Sequence, residues 1–344
     1  NMFENIQLSL LNACLLSFLI SFLTCYFLVK KRPDFKIKNQ SQKRLNALNI
    51  PPLGGVGMAI SFFLSVRLLG EAEDIFIYIS FFALAIAFLG VLDDLYNLNW
   101  KIKFFFQFLF VGIPVIYLNI FLNVENILNF KLDNNLNITF TIFWILLIIN
   151  SINFTDNMDG FASINTSFIC LALGIISFLS NQNYLADISL VLLFSISGFF
   201  ILNFPPAKIY MGDSGSLFIG FVLGFISILF DWSPVNQNIL YNSFTPVLLF
   251  FSIPLLDFAT VFTFRIKNKI SPTTGGTDHI SHRLLKAGNT VKEVLGIFVL
   301  INILIFSLLS LSITYSQFSL IFLFLYVVLI FYLFFKFANM DVLD

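Results

Sequence analysis

Two adjacent carboxylates, Asp93 and Asp94, close an apolar segment and are followed by Lys101 and Lys103. Neighbouring side chains on a helix diverge by about 100°, so the two acids cannot address one atom and need separate tasks. Negative charge at a helix C-terminus opposes the helix dipole. A bound cation or a charged partner would justify it, and a solvated loop pair is the plainer alternative. Further on, Asn150, Asn153, Asp156 and Asp159 recur every third residue and end at Gly160. On an α-helix, residues three apart are neighbours, so this row can share a ligand pairwise along a spiral. Amides and carboxylates in that order suit a base or a sugar, beside ordinary capping and turn chemistry. Asn203 precedes Pro205-Pro206-Ala207, and Met211-Gly212-Asp213-Ser214-Gly215-Ser216 runs into an apolar helix. Asp213 and Ser214 read as N-caps, but a helix N-terminus also binds phosphate, and Mg²⁺ prefers one or two carboxylates plus substrate phosphates. His279 and His282, the only two histidines, adjoin Arg283 in a basic triplet suited to phosphate oxygens. A zinc site would need further soft ligands that are not nearby. Finally, Pro51-Pro52-Leu53-Gly54-Gly55-Val56-Gly57 offers a fixed turn and close backbone approach.

The elements that position these groups follow from composition. Of 344 residues 58% are hydrophobic and 11% charged, with 47 Phe and a mean hydropathy of +0.91. Soluble domains are typically about 25% charged, so a soluble enzyme, a disordered chain and a nucleic-acid-binding domain are all excluded. A spanning helix needs about 20 apolar residues. Eleven apolar segments emerge: 6–29, 54–69, 75–92, 104–122, 137–153, 161–179, 186–203, 215–231, 243–264, 293–313 and 317–337. With the loops numbered alternately, all but Arg67 and Lys131 of the 19 basic residues fall on one side, which the positive-inside rule makes cytoplasmic. The expectation is an all-α, polytopic membrane bundle, a single domain over 1–344, with its N-terminus outside and C-terminus inside. All five polar clusters then share the cytoplasmic face. A transporter would concentrate polar groups near the bilayer midplane, where only Asp257, inside the ninth segment, comes close; an ion pair or interhelical hydrogen bond is its expected role. Cys14, Cys25 and Cys170 lie in apolar runs and read as small hydrophobes. Asn1 ahead of Met2 reads as an expression remnant, and the long first segment closed by basic residues does not read as a cleavable signal.

The ordered set resembles the polyprenyl-phosphate N-acetylhexosamine-1-phosphate transferase family. The resemblance rests on Asp93-Asp94 with Lys101-x-Lys103, Asn150-x-x-Asn153-x-x-Asp156-x-x-Asp159-Gly160, the 206–216 stretch and the His279…His282-Arg283 loop. It runs from about residue 30 to 300 and, with eleven spans, looks like the bacterial GlcNAc-1-phosphate branch. The resemblance implies transfer of a sugar-1-phosphate from a UDP-N-acetylated sugar, UDP-GlcNAc first, to undecaprenyl phosphate, releasing UMP at the inner membrane of a bacterium. A related UDP-deoxy-acetamido sugar is the alternative donor, and a carrier or flippase for a phosphorylated sugar-lipid the alternative activity.

By matching positions, the resemblance implies a site built from loops 30–53, 93–103, 154–160, 204–214 and 265–292. Asp93, Asp94 and Asp213 would be catalytic, with Asp213 and Asp94 holding Mg²⁺ (or Mn²⁺). Lys43, Lys101, Lys103, Asn150, Asn153, Asp156, Asp159, Asn203, His279, His282 and Arg283 would bind substrate. Partners are the UDP-sugar, undecaprenyl phosphate and the bilayer, with no nucleic acid; a homodimer is compatible with such a bundle. Two positions depart from the pattern: Ser281 replaces the middle His of His-x-His-His, and Asn157 stands where Gly is usual. Asn tolerates a left-handed backbone, so the turn can survive. Ser281 bears on the identity of the sugar, and the lack of a triple-His signature argues against UDP-MurNAc-pentapeptide.

Overall fold

The computed structural model describes residues 2–31, 50–69, 74–122, 133–231, 250–271 and 275–342. Among these residues every regular element is helical: α1 (Met2–Lys31), α2 (Gly54–Val66, continued by a 3₁₀ turn to Leu69), α3 (Asp74–Tyr96), α4 (Trp100–Tyr117), α5 (Asn134–Thr155), α6 (Phe161–Leu179), α7 (Asn183–Asn203), α8 (Gly212–Leu229), α9 (Ser252–Lys267), α10 (Ile280–Lys286), α11 (Val291–Thr314) and α12 (Ser319–Ala338). Nine of them, all but α2, α9 and α10, are long and apolar enough to cross a membrane. The second and ninth expected segments correspond to the shorter α2 and to α9, which carries Asp257, Arg265 and Lys267. The chain is a polytopic helical membrane protein.

Helix α8 is the axis of the bundle. It packs against α2, α3 and α5, and 83% of its most apolar window is buried, against 17% for the peripheral α12. In lipid, helices associate through close backbone packing rather than hydrophobic exclusion. Gly90 of α3 accordingly lies directly on the Ser214 backbone of α8, where a Cβ would have no room. That contact brings the end of α3, with Asp93 and Asp94, onto the start of α8. Buried polar pairs add interhelical bonds: Asn302 donates to Asn165 across α11 and α6 (2.8 Å), and Trp144 to Ser227 across α5 and α8 (3.0 Å).

Three helix ends differ from the sequence expectation, each because of a cap or turn. Helix α4 begins at Trp100 because the Asn99 side chain accepts from Lys101 N–H (3.0 Å), so Lys101 and Lys103 ride on its first turn rather than in a loop. Helix α5 stops at Thr155; Asn150 and Asn153 are helical, while Asp156 caps the end and Asp159 belongs to a turn closed by Gly160 at φ 72°. The spiral of four is therefore broken after two. Helix α8 starts at Gly212, so Asp213 and Ser214 lie inside its first turn and are not its N-caps.

Candidate active site

The first turn of α8 is capped from outside. The backbone N–H groups of Asp213 and Ser214 donate to the two carboxylate oxygens of Asp94 on α3, at 3.1 and 3.3 Å. Gly212, at φ 69°, has no space for a side chain between the Pro52 carbonyl and Asp94. The Pro51–Gly55 strip runs alongside: Tyr210 N–H donates to Pro51 O (3.0 Å), and Gly54 and Gly55 donate to the carbonyls of Tyr210 and Met211 at 2.9 and 3.1 Å. The glycine-rich cluster thus braces the approach to α8.

Asp93 turns the other way. It accepts from Leu98 N–H (2.8 Å) and from Lys103 Nζ (2.9 Å), and Lys103 also pairs with Asp213. Asp213 accepts from Asn153 Nδ2 (2.9 Å), which also reaches Ser216 Oγ (2.8 Å). Four helices, α3, α4, α5 and α8, therefore converge on one cluster of Asp93, Lys103, Asn153 and Asp213. It keeps an open edge, with side-chain exposures of 14% for Asp93, 16% for Lys103 and 21% for Asp213.

The donor set of this cluster fits a divalent cation. Asp93 and Asp213 offer carboxylate oxygens that already meet at one ammonium, and Mg²⁺ commonly takes one or two carboxylates and leaves its other positions to water and phosphate. Asp94 has each oxygen engaged by a backbone N–H group, which leaves Asp93 and Asp213 as the more open pair of carboxylates. Among the described residues no group of three or more His, Cys, Asp or Glu forms a cage on its own.

A second layer holds the loops. Asn203, buried at the end of α7, accepts from Gly160 N–H (3.0 Å) and Ser163 Oγ (3.1 Å) and donates to Ile209 O (2.9 Å). Asp159 accepts from Ala207 N–H (3.0 Å). Together they clamp the turn after α5 to the loop before α8. Asn150 faces α4 instead of the cluster, donating to Gln107 Oε1 (3.1 Å) and Leu146 O (2.8 Å). The structure thus gives Asn150, Asp159 and Asn203 internal partners in place of the ligand contacts the sequence suggested. Lys101 is exposed, with its ammonium over the Trp100 ring. Asp156 lies half-buried at the end of α5. Lys43 falls outside the described residues.

The histidine loop forms a third layer. His279 Nδ1 lies 2.8 Å from Asp257 Oδ2, and Ile280 N–H donates to Asp257 Oδ1 (2.9 Å). Arg265, two turns on in α9, forks onto Asp278 through Nε and Nη2 (2.7 and 2.8 Å). Burial raises the Asp278 carboxyl, but the Arg265 guanidinium outweighs it and holds the group below its usual range. Burial, reinforced by His279, pushes His282 down to about 4, so it is neutral at pH 7. Arg283 leaves the expected basic triplet. Its Nε donates to Asp278 O (2.9 Å) and its Nη1 to Phe337 O (3.1 Å) and Met340 O (2.8 Å). It ties α10 to the end of α12, where unsatisfied carbonyls attract a cation. Ser281 is wholly buried and donates to Asn157 Oδ1. The two departures from the family pattern therefore touch each other. Sequence reasoning did not place Ser216 or Asn157 in the site, nor Asp257, whose one signal was an acid within an apolar segment.

With this geometry in place, likeness to known proteins decides the family. The family model of glycosyl transferase family 4 matches residues 76–231. A probable undecaprenyl-phosphate N-acetylglucosaminyl 1-phosphate transferase of Bacillus subtilis is 30% identical over 284 residues, 79% of this chain and 77% of that protein. The chain belongs to glycosyl transferase family 4. An undecaprenyl-phosphate alpha-N-acetylglucosaminyl 1-phosphate transferase of Thermotoga maritima is 27% identical over 304 residues, 87% of each chain. A phospho-N-acetylmuramoyl-pentapeptide-transferase of Orientia tsutsugamushi is 28% identical over 346 residues, 87% of this chain and 91% of its own. Family membership makes the chain a membrane-embedded transferase and sets the carrier reading aside.

Proposed function

We propose that this family 4 transferase moves GlcNAc-1-phosphate from UDP-GlcNAc to undecaprenyl phosphate, giving undecaprenyl-diphosphate-GlcNAc and UMP. An oxygen of the lipid phosphate attacks the sugar-bearing phosphorus of the donor. The bond from that phosphorus to the bridging oxygen breaks, and the oxygen leaves with UMP. The observation that carries this reading is the convergence of Asp93, Lys103, Asn153 and Asp213 at an open edge of the bundle. Phosphoryl transfer needs positioning and charge neutralisation more than covalent chemistry from the protein.

Asp213, with Asp93, would hold Mg²⁺, which when bound supplies Lewis-acid neutralisation of the diphosphate. Lys103 offers its ammonium to phosphate oxygens, and Asn153 orients the Asp213 carboxylate. His279 contributes a ring nitrogen to the sugar. Basic-residue asymmetry supports eleven spans, with the N-terminus outside and the C-terminus and this site in the cytoplasm of a bacterium.

The test is UMP release by purified protein with undecaprenyl phosphate, Mg²⁺ and a panel of UDP-sugars. UMP from UDP-GlcNAc that needs both lipid and metal supports the reading. UMP from another UDP-acetamido sugar alone would move the donor, and none from any donor in folded protein would overturn the reaction.

A further inference from the structure

Asp257 is wholly buried within α9, and the cluster at the start of α8 does not use it. Its carboxylate nevertheless gathers three separate pieces of chain. Oδ2 meets His279 Nδ1 at 2.8 Å and Asn157 Nδ2 at 3.4 Å. Oδ1 accepts from Ile280 N–H at 2.9 Å, at the entry of α10. Asn157 is itself fixed: its Nδ2 also donates to Phe154 O (2.7 Å), and its Oδ1 accepts from Ser281. The His279 ring is further confined by the edge of Phe154, with centroids 5.7 Å apart. A buried chain of contacts thus runs from Ser281 through Asn157 and Asp257 to His279.

A carboxylate beside one imidazole nitrogen decides which nitrogen carries the proton, and leaves the other as the working atom. We propose that Asp257 is a positioning residue for His279: it holds the proton on Nδ1, so that Nε2 is an acceptor offered to a hydroxyl or amide N–H of the donor's sugar. The inference rests on the transferase reading for what Nε2 meets. It stands on the Asp257–His279 geometry for the proton's place. Asn157 and Ser281 set the position of the Asp257 carboxylate, so Ser281, buried away from any ligand, acts on the donor only through Asn157.

The chain has only two histidines, which makes a direct spectroscopic test practical. The full-length protein, labelled with ¹⁵N-histidine in detergent, gives two ring patterns, and a His282→Gln variant assigns them. At pH 8 the expected result is a proton on Nδ1 of His279. In Asp257→Asn, one amide oxygen cannot serve Ile280 N–H on one side and His279 Nδ1 and Asn157 Nδ2 on the other, and the proton is expected to shift toward Nε2. Turnover should then fall roughly 10–100-fold, the usual scale for loss of a group orienting a working histidine, with KM for the UDP-sugar changed less than threefold. A merely structural Asp257 would leave the ring pattern in place. A His279 in the wild type with Nδ1 unprotonated overturns the proposal without any variant, as does an Asp257→Asn protein with an unchanged ring pattern and turnover. Wild-type protein that releases no UMP would overturn the transferase reading instead, and the ring pattern would still judge Asp257.

Discussion

Asp94 separates two ways of building the site, and its removal tells them apart. If it caps α8, Asp94→Ala strips two backbone N–H groups of their acceptor, at 3.1 and 3.3 Å. Hydrogen bonds to a charged group contribute about 1.5–3 kcal/mol each, and these are long for their kind, so the low end applies. Replacing an N-cap side chain by Ala costs about 0.5–2 kcal/mol, which sets the floor. The expected loss is about 2–3 kcal/mol, on the order of 5 °C in Tm for a large chain. Turnover should fall with it, since a shift of about 1 Å in a catalytic group costs roughly 100-fold, and Asp213 sits on the freed turn. The Mg²⁺ concentration for half-maximal rate should stay within about threefold of wild type. Asp213→Asn is the counterpart: UMP release lost by at least about 100-fold, with a smaller fall in Tm than Asp94→Ala, because Lys103 can keep the amide oxygen while the Asn153 amide turns to accept from the new Nδ2. The assays are thermal unfolding in detergent and UMP release across a Mg²⁺ titration. An Asp94→Ala protein with unchanged Tm and a tenfold higher Mg²⁺ requirement would refute the capping argument and return Asp94 to the metal.

Asn203→Ala should destabilise by about 2–4 kcal/mol, since it leaves buried Gly160 N–H and Ile209 O without partners; chemical unfolding should show this while KM for the donor is little changed. His282 has a folded value of about 4 against an ordinary value near 6.5. The unfolded chain therefore takes up the proton first, and stability should fall by up to about 3 kcal/mol as pH drops from about 6.5 to 4, a slope that His282→Gln reduces in Tm measured against pH. Lys103→Gln removes the ammonium shared by Asp93 and Asp213, so added Mg²⁺ should raise Tm more in this variant than in wild type; equal shifts would mean the two cations do not compete.

Nine of the eleven expected spans were legible because apolar runs near 20 residues leave little choice of state, and the polar clusters were legible because each interrupts such a run. Their division of labour was not. Asp93 and Asp94 were bound to diverge, since adjacent helical side chains must, but which one meets α8 depends on Gly90 letting α3 lie against Ser214. The cap on α8 comes from a residue well over a hundred positions earlier, so no local pattern announces it. Asn150 and Asn153 share one spacing yet face different helices, α4 and α8. Arg283 looked like a phosphate ligand because its real acceptors, the carbonyls near the end of α12, are backbone atoms more than 50 residues away. The contact of Ser281 with Asn157 was hidden in the same way, although both positions stood out individually.

The charge at the start of α8 explains why these particular groups meet there. Asp93, Asp94 and Asp213, when ionised, face the Lys103 ammonium and the positive end of α8, worth about half an elementary charge. The cluster is then negative by roughly one and a half charges, a potential that would repel a diphosphate and a lipid phosphate alike. It falls one dication short of a mildly positive site, so phosphate affinity and metal affinity are two readings of one balance. Asp94 spends its charge on the helix end and keeps the dipole satisfied, which leaves Asp93 and Asp213 to answer for the ligand side. Lys103 meanwhile holds those two acids together in a low-dielectric setting where bare carboxylates would separate. In the proposed reaction the same ammonium would follow the phosphates once the carboxylates had another cation to hold.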